Sequence, residues 1–239
     1  MVTRSFTLPL LAVIAATLTR VGAAGEGVAS EQGITTRGIG PDKARLGFVH
    51  AIAGADKVDL VGDGRSLKRN IRYGRTMKAK SLRAEGYSLD VDAAKVGLPY
   101  IDALAVDLQG GRDYTLIAIG NTDSSSPTVG LLVDLPGLLV PKSTVQVLFT
   151  NASPDAPSAD LLIDDQVLFS SVASGTYQGP QEIDDNKHRV EVRVNGVPVL
   201  GPSVQKFKDR QIINLVLYGT VLADDGKSLQ LMSSDMKSR

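Results

Sequence analysis

Residues 45–60, RLGFVHAIAGADKVDL, lie over residues 146–161, QVLFTNASPDAPSADL, at a constant offset of 101 positions. Phe48 falls on Phe149, Ala51 on Ala152, Ala55 on Ala156, Asp59 on Asp160 and Leu60 on Leu161. The offset runs on without a gap through Gly74 on Gly175, Leu82 on Ile183, Leu89 on Val190 and Val91 on Val192. Near the ends of the copies it slips to 99, where DYTLIAIGN at 113–121 matches IINLVLYGT at 212–220. A loop deletion of two residues produces such a slip. The chain therefore reads as one unit written twice, over residues 44–134 and 144–233. A short linker with two prolines and a glycine, LPGLLVPKS at 135–143, joins the copies. Whatever one copy folds into, the other must fold into as well.

Each copy holds seven or eight short apolar runs, broken by Gly, Asp, Asn and Pro, with no helical period. In the first copy they start near Arg45, Lys57, Leu67, Lys80, Tyr87, Ile101, Asp113 and Val129. Such runs predict antiparallel, half-buried strands. HRVEVRV, starting at His188, alternates with period two, and Asn195-Gly196 after it predicts a tight hairpin. Strand number, spacing and copy length predict an all-β fold, two tandem immunoglobulin-like β-sandwich domains.

The first residues read as a targeting segment. Arg4 precedes the apolar run FTLPLLAVIAATL at 6–18, and small residues follow at 21–24. This pattern predicts an export leader, residues 1–23, cleaved after Ala23. The apolar run is short for a membrane span. Residues 24–43 read as a flexible lead-in and 234–239 as a tail. The expected location is periplasmic or extracellular. The chain has no cysteine, so its stability must come from its core rather than from disulfides. With 26 basic and 26 acidic residues it lacks the basic excess of a nucleic-acid binder.

The densest cluster of polar chemistry is FTNASPDAPSADLLID, residues 149–164. Its prolines and aspartates are what a connection between two strands requires. Asn151 stands where the first strand ends, and His50 takes its place in the other copy. Asp59 and Asp160 open the second strand of each copy, and their repetition predicts a role in holding the turn to a neighbouring strand. The run NASPDAPSADLLIDDQVL followed by ASGTY resembles the bacterial DUF4397 family. That family carries an H/N-A-S-P-D-A-P-x-V-D-V-Y-V-D-G signature, a glycine-tyrosine segment and a G-K-D-Y-T strand. The first copy keeps His50, Ala51, Ala55 and Asp59 but loses both prolines. It keeps GGRDYTLIAIG from Gly110, whereas the second copy has KDRQIINLVLYG. The resemblance implies exported, often repeated, surface-type β domains, and it brings no catalytic residues.

The chain carries two histidines, His50 and His188, and no G-x-S-x-G turn, H-E-x-x-H pair or phosphate-binding glycine loop. The acidic pairs Asp164-Asp165, Asp184-Asp185 and Asp224-Asp225 fall in expected turns. Each supplies two ligands at most, and Ca²⁺ needs six to eight. No catalytic, cofactor or metal residue is therefore assigned. Residues 65–83, RSLKRNIRYGRTMKAKSLR, hold basic side chains and no acid. They suit an anionic partner, or form the solvated face of two strands with Leu67, Ile71, Met77 and Leu82 turned inward. The matching part of the second copy is acidic, which would also let the copies dock. The expectation is a non-enzymatic protein that binds or scaffolds at the cell envelope or outside the cell. Its partner would be an envelope protein or glycan. One alternative is a carbohydrate-binding module, with or without the assistance of Ca²⁺, that stacks sugars on Tyr73, Tyr87, Tyr100, Tyr114, Tyr177 and Tyr218. The other is an unrecognised hydrolase, which would bring one histidine beside a serine and an acid.

Overall fold

The computed structural model describes residues 39–122, 128–135, 139–221 and 228–236. The expected leader, most of the lead-in, the Asp224-Asp225 pair and the last three residues lie outside the described residues. The rest is strand and turn. The first copy contains β1 (Lys43–Ala53), β2 (Lys57–Gly62), β3 (Arg65–Arg72), β4 (Thr76–Arg83), β5 (Gly86–Ala93), β6 (Pro99–Asp107), β7 (Asp113–Asn121) and β8 (Val129–Leu135). The second contains β9 (Thr144–Asn151), β10 (Ser158–Ile163), β11 (Gln166–Ala173), β12 (Thr176–Asp184), β13 (Lys187–Val194), β14 (Val197–Lys206), β15 (Gln211–Tyr218) and β16 (Gln230–Met236).

The strands form four four-stranded sheets, ordered β4-β1-β7-β8 and β3-β2-β5-β6 in the first copy, β12-β9-β15-β16 and β11-β10-β13-β14 in the second. Each copy is a sandwich with its own core. Phe48, Leu60, Leu89 and Leu116 anchor the first, and Phe149, Leu161, Phe169 and Phe207 the second. The Asn195-Gly196 hairpin is present, with both residues at positive φ between β13 and β14. Lys187–Val194 alternates in burial as its sequence predicts.

Two features depart from antiparallel, half-buried strands. β1 pairs with β7, and β9 with β15, in parallel. These four strands are also buried on both faces. The reason is a third core between the sandwiches. Val49, Ala51, Ile117 and Ile119 from one copy pack with Leu148, Ile212 and Val216 from the other. Val140 of the linker enters the same layer, and so does Tyr218. A strand buried on both faces has no solvent side to alternate with, so it reads as a continuous apolar run.

The β2–β3 and β10–β11 turns correspond residue for residue at the offset of 101. Asp63-Gly64 and Asp164-Asp165 join β2 to β3 and β10 to β11, and all four residues have positive φ. This left-handed region costs a non-glycine residue about 1–2 kcal/mol. Asp165, at φ 65°, occupies the place that Gly64 fills in the first copy. Asp165→Gly is expected to raise the unfolding free energy by about 0.5–1 kcal/mol, because the exposed Arg189 contact it loses is worth less than the strain. A denaturant titration with an unchanged m-value checks this.

Candidate functional site

His50 lies in β1 and is fully buried. The Ile52 amide donates to its Nδ1 at 3.3 Å, which leaves the ring proton on Nε2, and Nε2 donates to the Ala55 carbonyl at 3.1 Å. Burial lowers its pKa to about 4, against smaller opposing effects of the Ala55 hydrogen bond and Asp56. Asn151, its counterpart in β9, makes the same two bonds. Its Oδ1 accepts from Ser153 N at 3.2 Å, and its Nδ2 donates to the Ala156 carbonyl at 2.8 Å. One acceptor and one donor, two and five residues ahead, hold the crossover loop in both copies. An imidazole and a carboxamide both supply that pair.

The rest of the acidic-looking stretch also holds loops in place. The Ser153 hydroxyl lies 2.8 Å from the Gly219 carbonyl, and both Asp155 oxygens lie 3.0 Å from Val221 N. The expected role of Asp59 and Asp160 is present in a specific form. Each accepts, at 2.7 Å, the backbone N–H of the residue eleven ahead on the neighbouring strand, Asn70 and Ser171. Those two residues sit at positive φ where the strand register shifts. The carboxylate thus satisfies the amide that a β-bulge takes out of the ladder. Gly74 and Gly175 are repeated for a related reason. Both have positive φ, and both donate to the carbonyl of His50 or Asn151.

His188 comes nearest to catalytic geometry. Its Nδ1 lies 2.6 Å from Asp164 Oδ2, but its Nε2, the atom a nucleophile would need, lies 3.0 Å from the Asp184 carbonyl. Burial works against its charge, yet the Asp164 contact and the Asp184 carbonyl outweigh it and raise the pKa. The Arg189 amide, and then His188, hold Asp164 below the usual carboxylate range. Asp165 pairs with Arg189 and Asp184 with Asn186. Among the described residues no three acidic, His or Cys side chains converge as a metal site.

The tyrosines do not form an exposed row. Tyr114 and Tyr218 are buried. Tyr87 and Tyr100 pack partly against the first core, and Tyr73 and Tyr177 against the middle one. Tyr73 and Tyr218 meet edge-on across the two copies at 5.4 Å. Among the described residues the tyrosines therefore share no exposed row of the kind the sugar-binding alternative expected.

The basic run forms the adjoining edge strands β3 and β4. Ile71 and Met77 turn inward, as expected, with Leu67 and Leu82 partly buried beside them. Arg65, Lys68, Arg69, Arg72, Arg75, Lys78, Lys80 and Arg83 are all exposed. None of them pairs with a carboxylate among the described residues. Lys80 spans the seam between the two sheets, its Nζ donating to the Leu67 carbonyl at 3.2 Å. No helix among the described residues is long and apolar enough to cross a membrane.

A family profile described as "Domain of unknown function (DUF4397)" matches residues 44–144 and 145–239. No curated protein matches the chain.

Proposed function

The chain belongs to the DUF4397 family through both of its copies, and from that premise we propose that it is an exported, non-enzymatic module that binds or scaffolds at the cell envelope. One observation carries the non-enzymatic part. The ring nitrogens of both histidines are engaged by loop and strand groups of the chain itself. The hydrolase alternative needs a free imidazole nitrogen beside a nucleophile, and neither ring offers one. The repeated aspartates and Asn151 likewise serve backbone amides and carbonyls. What remains for function is surface, and a rigid stack of sheets is suited to presenting it.

Export rests on the leader pattern in residues 1–23, with its Arg4, apolar run and small residues. Cell fractionation, N-terminal sequencing and cross-linking in intact cells test the proposal together. The expected result is a mature chain starting at or near Ala24, outside the cytoplasm and cross-linked to an envelope polymer or protein. An uncleaved cytoplasmic chain contradicts export, and a chain without cross-links contradicts binding.

A further inference from the structure

The wall formed by β3 and β4 is more basic than an edge in this fold needs. Edge strands are commonly guarded by lysines, prolines or bulges. Of the other edges, β6, β8, β11, β12 and β16 carry no Lys or Arg, and β14 carries only Lys206. The comparison with β11 and β12 is the sharpest, because they occupy the same place in the second copy. At the shared offset of 101, Arg65 corresponds to Gln166, Arg69 to Ser170, Arg75 to Thr176 and Lys80 to Gln181. The same fold is therefore built without these charges. In a chain with 26 basic and 26 acidic residues, a run of unpaired cations on one side is a local feature that folding does not explain.

We infer that this wall binds a linear acidic polysaccharide, an inference that rests on the binding role proposed above and names its ligand class. Each strand has eight residues, so at about 3.3 Å per residue the row runs for about 26 Å. That length suits an extended chain carrying charge at regular intervals. Between the two sheets, beside the row, opens a cleft of about 620 Å³, within the size range of small-ligand sites. Leu67, Leu82 and Tyr87 give it apolar surface, and Arg65 and Arg83 stand in its lining beside two carboxylates that are already engaged, Asp63 by the Ser88 amide and Glu85 by the Tyr87 hydroxyl. A sugar ring against the apolar part would place its carboxylate near the guanidinium groups, which bind carboxylates through paired donors. A membrane surface fits less well, because surface-binding elements add apolar side chains that insert. Among the described residues, none of the exposed large hydrophobic side chains belongs to β3 or β4. A nucleic acid would call for exposed aromatics to stack bases, which the described tyrosines do not supply.

The test measures binding of the mature protein to labelled oligogalacturonate, with dextran and anionic phospholipid vesicles as comparison probes. Affinity for the oligogalacturonate is expected to fall at least about tenfold between about 50 and about 200 mM salt. The variant R65Q/R69S/R75T/K80Q, which takes the second copy's residues, is expected to lose at least about tenfold at low salt. K142Q/K187Q/K206Q/K208Q makes the same change in net charge at exposed positions elsewhere and is expected to keep its affinity. Far-UV circular dichroism checks that the variants fold, and R69S/R75T serves if the fourfold wall variant does not. The inference is overturned by no binding, by equal loss in both fourfold variants, or by vesicles bound in preference to the polysaccharide. It is also overturned if sedimentation shows salt-sensitive self-association that only the wall variant loses, since the wall would then meet a second copy. The broader binding proposal fails separately, through empty cross-linking in intact cells.

Discussion

Ile117→Asp is expected to split the unfolding of the protein into two steps. Ile117 is fully buried in β7, in the layer where the two sandwiches meet. An unpaired carboxylate held there costs more than about 4 kcal/mol. Each copy has a complete core of its own, so the least costly response is for the copies to part and let water reach the charge. Separated sandwiches no longer support each other, and their transitions move apart. Ile117→Ala removes side-chain volume without adding charge. It is expected to cost about 2–5 kcal/mol while leaving one transition. Calorimetry distinguishes the two variants. A single undiminished transition for Ile117→Asp would mean that the middle layer is not closed to water.

The second large effect is acid sensitivity set by His50. Its folded pKa is about 4, below the ordinary value of about 6.5. The unfolded chain therefore binds the extra proton first as the pH falls. Stability from this site is complete above about 6.5 and is lost on the way down to about 4. At about 1.4 kcal/mol per unit, the loss is about 3 kcal/mol. His188 runs the other way, because its pKa is raised. Its contribution is complete below its unfolded value and fades as the pH rises through its folded one. His50→Asn places in the first copy the side chain that the second uses for the same two bonds. It is expected to flatten the stability profile between pH 6.5 and 4. His50→Ala leaves the Ile52 amide and the Ala55 carbonyl without this partner, and is expected to cost about 2–4 kcal/mol at neutral pH. Unfolding titrations across that pH range test both variants. A wild-type profile as steep as that of His50→Asn would overturn the assignment.

Much of this architecture was legible in the sequence. The offset of 101 gave the tandem copies, and their turn residues recur because the same backbone conformations recur. Asp59 and Asp160 could be assigned a structural role from repetition alone, though the bulge amide they hold became visible only in three dimensions. HRVEVRV alternates because β13 lies in a sheet whose other face meets solvent. LGFVHAIA in β1 and YTLIAIG in β7 do not alternate, and that was the mark of the middle core. Periodicity cannot separate such a run from an ordinary core strand, and parallel pairing between strands far apart in the chain leaves no local trace. The equivalence of His50 and Asn151 was visible as an aligned pair. That both present one acceptor and one donor to the same loop positions required their atoms.

The most direct test of the account is native-state hydrogen exchange of the wild-type chain, read by mass spectrometry across rising denaturant. If the two copies are joined through a shared core, peptides from β1, β7, β9 and β15 open together in one global step. They then share one free energy and one denaturant dependence. Exchange of β1 and β7 in a step distinct from that of β9 and β15 would mean that the sandwiches are independent units, and would contradict the account.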